Sequence, residues 1–196
     1  HFNAKLVYLS TDYVFDGVKG FYREDDPVNP LSVYGKHKLA AEQYVQSQLE
    51  DYLICRITNV YGDEVRGKNF ISRLSENMQT GEPMGLKLPI DQYATPVNAR
   101  DVARAIFELT SSNKSGIYHF AGTDYLNRIQ LAELVMKYFG HDKVSLVSVT
   151  TDELNQPAKR PLAGGMSAEK FNQEFPHFRW TNVDDYLRKK QLAIGH

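Results

Sequence analysis

An α/β fold built on a largely parallel sheet is what this sequence predicts, and three observations predict it. Short apolar runs alternate with stretches of helical periodicity along most of the 196 residues. That βαβα order implies a sheet covered by helices on both faces. Polar loop residues gather just after the first apolar run, where sheets of this kind bind their ligands, at the carboxyl ends of strands.

Taken in order, Lys5-Leu-Val-Tyr-Leu9 reads as a buried strand, and Ser10-Thr-Asp-Tyr-Val-Phe-Asp-Gly17 as the loop at its end. Asn29 followed by Pro30 makes an N-cap and first turn, opening a helix to Leu49. Tyr52–Ile57 is the next strand, followed by helices over Asn69–Gln79 and Ala99–Leu109. A strand at Ile117–Phe120 and a helix at Arg128–Phe139 close the regular pattern. After Gly140 the signal weakens: a strand at 144–149, a Gly/Pro-rich loop at 156–165, and short helices over 168–175 and 183–191. The reading is a main domain over residues 1–140 and a small lobe over 141–196. No G-x-x-G-x-x-G occurs, so the pattern is expected to enter a dinucleotide-binding fold after its phosphate-binding unit.

Composition narrows the functions. With 42% hydrophobic and 24% charged residues the chain can bury a real core. A net charge of −1 supplies no basic excess for a nucleic-acid backbone, which argues against that partner. The six histidines show no metal-ligand spacing, and no metal site is expected. The single cysteine, Cys55, lies within Tyr52-Leu-Ile-Cys-Arg-Ile and reads as a packing residue. No apolar run approaches the roughly 20 residues of a membrane span, and no signal peptide is visible. A cytoplasmic protein without a membrane partner is the expectation.

The chemistry-bearing stretch is Asn29-Pro-Leu-Ser-Val-Tyr-Gly-Lys-His-Lys38. Tyr34 and Lys38 are four apart, hence on one helical face, on a stripe continued by Ala41 and Val45 and expected to face the protein body. A phenol, with a pKa near 10, is a poor proton donor or acceptor at neutral pH, and a nearby ammonium favours its anion. Tyr34 is therefore a candidate acid or base, and Ser10 or Thr11 a candidate hydroxyl for holding a carbonyl oxygen.

On these residues the chain resembles the extended short-chain dehydrogenase/reductases, and among them the dTDP-4-dehydrorhamnose reductases. The resemblance rests on Ser10–Gly17, Tyr34-Gly-Lys-His-Lys38, Arg56-Ile-Thr-Asn-Val-Tyr-Gly62, Asp91-Gln-Tyr-Ala-Thr-Pro96 and Arg160-Pro161 with Ser167-Ala-Glu-Lys-Phe171. It implies a Rossmann-like sheet lacking its Gly-rich N-terminal unit, with NADP or NAD as cofactor and a nucleotide-sugar as substrate. Thr11, Tyr34 and Lys38 would be catalytic. Ser10, Tyr34, Lys38, Arg56 and Asn59 would meet the cofactor; Asp12, Tyr13, Asn59, Gln92 and Arg160 would meet the substrate. Arg160 would clamp a diphosphate with its planar fork. A homodimer is one assembly such a chain could form.

Two departures qualify the match. Asn59 stands where these reductases usually carry tryptophan, which makes its loop similar to that of nucleotide-sugar epimerases. Tyr13 replaces the glutamate of related 4,6-dehydratases, which argues against dehydration. The regulatory subunit of methionine adenosyltransferase shares the stretches at Ser10–Gly17 and Tyr34–Lys38, so a non-catalytic subunit is one alternative function, and an epimerase on the same scaffold another.

Overall fold

The structure is a computed structural model and describes residues 4–140 and 143–194. Its central sheet has three parallel strands in the order β1 (Leu6–Thr11), β2 (Tyr52–Ile57) and β7 (Gly116–Phe120). β2 lies in the middle, so Leu53, Ile54 and Cys55 are fully buried. The first strand departs from expectation: Leu6 and Leu9 are exposed, because β1 pairs with β2 alone. Register puts Thr11 beside Ile57, and Ile57 beside Phe120. The loops that follow all three strands therefore open on one end of the sheet.

Helix α1 (Val33–Gln48) crosses from β1 to β2. It starts three residues later than the Asn29-Pro30 signal suggests, since Ser32 is its cap and accepts from the Gly35 N–H at 3.1 Å. Asn29 instead donates to Asp16 at 3.2 Å. After β2 come the two-residue strand β3 (Val60–Tyr61), helix α2 (Phe70–Thr80) and strand β4 (Met84–Pro89). Two short strands, β5 (Tyr93–Ala94) and β6 (Val97–Asn98), lead into α3 (Ala99–Ser111). β8 (Leu126–Asn127) and α4 (Arg128–Phe139) follow β7, with a full capping box between Asn127 and Gln130. β9 (Val144–Val149), α5 (Glu169–Glu174) and α6 (Val183–Ile194) complete the chain. β4 and β9 form a separate parallel pair.

Residues after 140 enter every core cluster. Phe171, Phe175 and Phe178 pack on the β2–β7 face with Phe120, Val102 and Leu109. Val183 and Leu187 of α6 join Ile71, Leu74 and Leu131 under α2 and α4. Met166 and Ala168 sit with Val14 and Phe15 beneath the loop that follows β1. The C-terminal segment thus fixes the floor of that loop through buried apolar contact. Among the described residues no helix is long and apolar enough to cross a membrane, and no cluster is suited to a metal ion.

Candidate active site

At the end of β1 the chain turns through a single 3-10 turn, Asp12–Val14, capped by Thr11. The Thr11 hydroxyl accepts from the Tyr13 N–H at 3.2 Å and donates to Asp12 Oδ1 at 3.1 Å. The other Asp12 oxygen accepts from Thr58 Oγ1 at 2.8 Å. Burial pushes the Asp12 carboxyl up to about 6, against the hydrogen bonds of Thr58 and Thr11 and the charge of Arg128, which pull it down. Next to Thr11, the Ser10 hydroxyl is buried with no hydrogen-bond partner.

Helix α1 brings Tyr34 and Lys38 to the same corner. The Lys38 ammonium donates to the Leu9 carbonyl at 2.5 Å and lies 4.3 Å from the centre of the Tyr8 ring. Tyr34 stands edge-on to Tyr13, with ring centres 5.9 Å apart. The expectation that this stripe faces the body holds at Val45 and needs correction at Tyr34, which is 55% exposed; the buried line of the helix runs through Gly35, Glu42 and Val45. Tyr34 lies on the flank of the helix and faces a groove.

Gly35 lets the helix come so near. A Cβ there would overlap the Tyr13 carbonyl oxygen and lie 3.0 Å from Pro30 Cβ. Overpacking by Gly35→Ala costs about 1–3 kcal/mol against the roughly 1 kcal/mol gained in helix propensity, so a net loss of up to about 2 kcal/mol is expected. Urea unfolding checks it, and a stabilised variant would show that the loop yields freely.

The groove has a volume of about 490 Å³ and is lined by Ser10, Thr11, Asp12, Tyr13, Tyr34, Lys38, Thr58 and Asn59. It adjoins a second chamber of about 540 Å³, to which Asn59 also contributes. Asp12, Tyr13, Asn59, Gln92 and Arg128 line the small pocket between them. The second chamber is lined by Lys68, Arg73, Lys87, Arg128 and Arg160, and by no acid. Five cations without a carboxylate make a site for a multiply charged anion. Phe70, Leu86, Leu88 and Leu131 give the wall an apolar part, and Asn59, Asn69, Gln92 and Gln156 a neutral polar one.

Most of the residues singled out in the sequence meet along these two spaces. Arg160 NH1 donates to the Tyr13 hydroxyl at 2.9 Å, and Gln92 donates to Thr151 and Gln156 at 2.9 and 3.3 Å. Arg56 is the exception. It is 3% exposed, donates through Nε to Glu42 Oε1 at 3.0 Å and through NH2 to Oε2 at 2.7 Å, and reaches His119 Nε2 at 3.3 Å. Its guanidinium points away from the groove into the layer between α1 and the sheet, so a direct contact with a cofactor is replaced by a buried ion pair. His119 Nδ1 faces the Tyr22 carbonyl at 3.0 Å, the arrangement of a neutral ring that donates there and accepts from Arg56.

Two groups escaped the sequence reading. Thr58 lies inside the quoted Arg56–Gly62 motif but carried no role of its own. Arg128 occupies the first position of α4 and donates to Asn59 Oδ1 at 3.2 Å. A cation at a helix N-terminus opposes the helix dipole, and that mismatch was the available signal.

Comparison with known proteins finds relatives along nearly the whole chain. The spore coat polysaccharide biosynthesis protein SpsK of Bacillus subtilis is 35% identical over 97% of this chain and 66% of its own length. Methionine adenosyltransferase 2 subunit beta of Xenopus laevis is 33% identical over 87% of the chain and 52% of its own length. Among solved structures, dTDP-4-dehydrorhamnose reductase from Bacillus anthracis in complex with NADP superposes with a TM-score of 0.85 at 27% identity, covering 97% of this chain and 66% of that one. The chain thus spans between about half and two thirds of the length of these relatives. The fold is accordingly Rossmann-like and of the extended short-chain dehydrogenase/reductase type. The family model for the RmlD substrate binding domain matches residues 1–190, and the chain belongs to that family.

Proposed function

We propose that this chain carries the proton-transfer and nucleotide-sugar-binding part of an NAD(P)H-dependent reductase acting on a 4-keto nucleotide-sugar of the dTDP-4-dehydrorhamnose type. The observation that carries the reading is the adjacency of two spaces. A groove with Tyr34, Lys38 and Thr11 adjoins an acid-free chamber with five cations, and Asn59 lines both. A nucleotide-sugar has this shape: a neutral sugar at one end and a diphosphate beyond it.

Each residue then has a task. Tyr34 delivers the proton to the carbonyl oxygen, with the Lys38 ammonium, tethered by the Leu9 carbonyl, as the nearby positive charge. Thr11 holds the same oxygen. Arg128 and Arg160 receive the diphosphate, while Asn59 and Gln92 border the sugar. The residues present fit the nicotinamide end of a dinucleotide, because the Ser10 hydroxyl is buried without a partner and Lys38 borders the same groove. When bound, that group supplies hydride to the carbonyl carbon.

The likeness to the methionine adenosyltransferase subunit favours a second reading, a binding subunit that turns nothing over. Calorimetric titration with dTDP-glucose tests the shared premise. Arg160→Gln is expected to weaken binding about tenfold, as losing a charge-assisted hydrogen bond does; unchanged affinity would remove the diphosphate from this chamber. Net oxidation of NADPH or NADH on adding a 4-keto nucleotide-sugar supports the reductase. Binding without turnover supports the subunit, and interconversion without net redox change an epimerase.

A further inference from the structure

We propose that Asp12 is a positioning residue that decides where the Thr11 hydroxyl proton points, and that an anionic nucleotide in the basic chamber turns that proton toward the groove by making Asp12 neutral. The proposal rests on the function proposed above.

The reasoning starts from the hydrogen-bond capacity of one oxygen. Thr11 Oγ1 has one proton and two lone pairs. One lone pair accepts from the Tyr13 N–H, and the proton goes to Asp12 Oδ1. What remains is a lone pair. A substrate carbonyl oxygen is likewise an acceptor, so Thr11 cannot hold it in this arrangement.

Adding one proton from solvent to Asp12 changes the pattern without moving a heavy atom. Oδ2 already accepts from Thr58, so the new proton belongs on Oδ1, where it is donated to the free lone pair of Thr11. The proton of Thr11 is then released to the groove and can meet a carbonyl oxygen. Thr58 holds the carboxyl in the same place in both states.

The surroundings of Asp12 link this step to the ligand. Arg128 faces it from the start of α4 and favours the carboxylate. Tyr13, with Arg160 on its hydroxyl, and Tyr93 of β5 border the same small pocket, while Tyr34 and Lys38 stand across the groove on α1. No second acid lines the groove or the connecting pocket. Burial opposes the charged form and brings the carboxyl within reach of neutral pH. A diphosphate on Arg128 and Arg160 offsets the charge of Arg128, which favours the carboxylate alongside the hydrogen bonds of Thr58 and Thr11, and so shifts Asp12 toward its neutral form. Ligand binding and proton uptake are then thermodynamically coupled.

Isothermal titration of the chain with dTDP-glucose at pH 6.5, in buffers of different ionisation enthalpy, measures that coupling. This probe carries no phosphate group that titrates near neutral pH. The expected result is a net uptake of up to about one proton per ligand, lost in Asp12→Asn, whose amide donates permanently to Thr11. The same variant is expected to bind at pH 8 at least as tightly as the parent. A merely structural Asp12 would lower affinity without changing the proton count. Binding with no proton uptake, or uptake that persists in Asp12→Asn, overturns the proposal while leaving the proposed function standing. Absence of binding by the parent chain overturns both.

Discussion

Arg56→Met is expected to destabilise the chain by about 3–5 kcal/mol, the range observed when one partner of a buried ion pair is removed. Glu42 is fully buried, and both its oxygens face Arg56. Methionine would leave that carboxylate without a counter-ion between α1 and β2, and would take the donor from His119 Nε2. The double variant Glu42→Leu/Arg56→Met should recover much of the loss, since the uncompensated charge goes with it. Urea unfolding of the chain and its two variants measures this; a loss under about 1 kcal/mol for the single change would mean that water reaches the pair. The same layer sets an acid limit. Burial, then the charge of Arg56, holds His119 well below its ordinary value, at about 3. Its depressed pKa means that the unfolded chain binds a proton first. Stability is therefore complete above about pH 6.5 and falls progressively as pH drops toward 3.

Tyr34→Phe carries the other large effect. In the cofactor-loaded protein it is expected to reduce turnover of a 4-keto nucleotide-sugar by about 100-fold or more, the usual contribution of a positioned general acid. Affinity for dTDP-glucose should stay within a few-fold, because phenylalanine keeps the ring that packs edge-on to Tyr13. The separation is the informative part: a loss confined to turnover locates the residue at the reacting atoms. Near-normal turnover would assign the proton to another group that lines the groove, such as Thr11 or Lys38.

Much of this site can be read directly in the residues. Tyr34 and Lys38 are found by helical spacing, and the Ser10-Thr11-Asp12 cluster by its place after an apolar run. The longer elements are legible too: α4 repeats a helical period over twelve residues, and β2 is an apolar run interrupted only by Arg56. Other parts leave no such trace. β3, β5, β6 and β8 have two residues each, too few for any period. β4 reads Met-Gly-Leu-Lys-Leu-Pro, with two residues that strands usually avoid. Glu42 looks like a solvent residue among Ala-Ala-Glu-Gln, and only its partner 14 residues on, brought close by the α1–β2 crossover, explains its burial. Arg128 is distant in sequence from every motif it serves.

The contact at Gly35 has a wider consequence. The helix bearing Tyr34 meets the turn that follows Thr11 main chain to main chain, with no side chain acting as spacer. Tyr34 and Thr11 are thus registered by peptide geometry, which changes of residue on the groove wall leave untouched. Asn59, Gln92, Arg128 and Arg160 are held by side-chain hydrogen bonds instead. If the proposed function holds, the wall can be redesigned for another sugar or another anion while the Thr11–Tyr34 corner is inherited unaltered. In this architecture, specificity and chemistry can evolve at different rates.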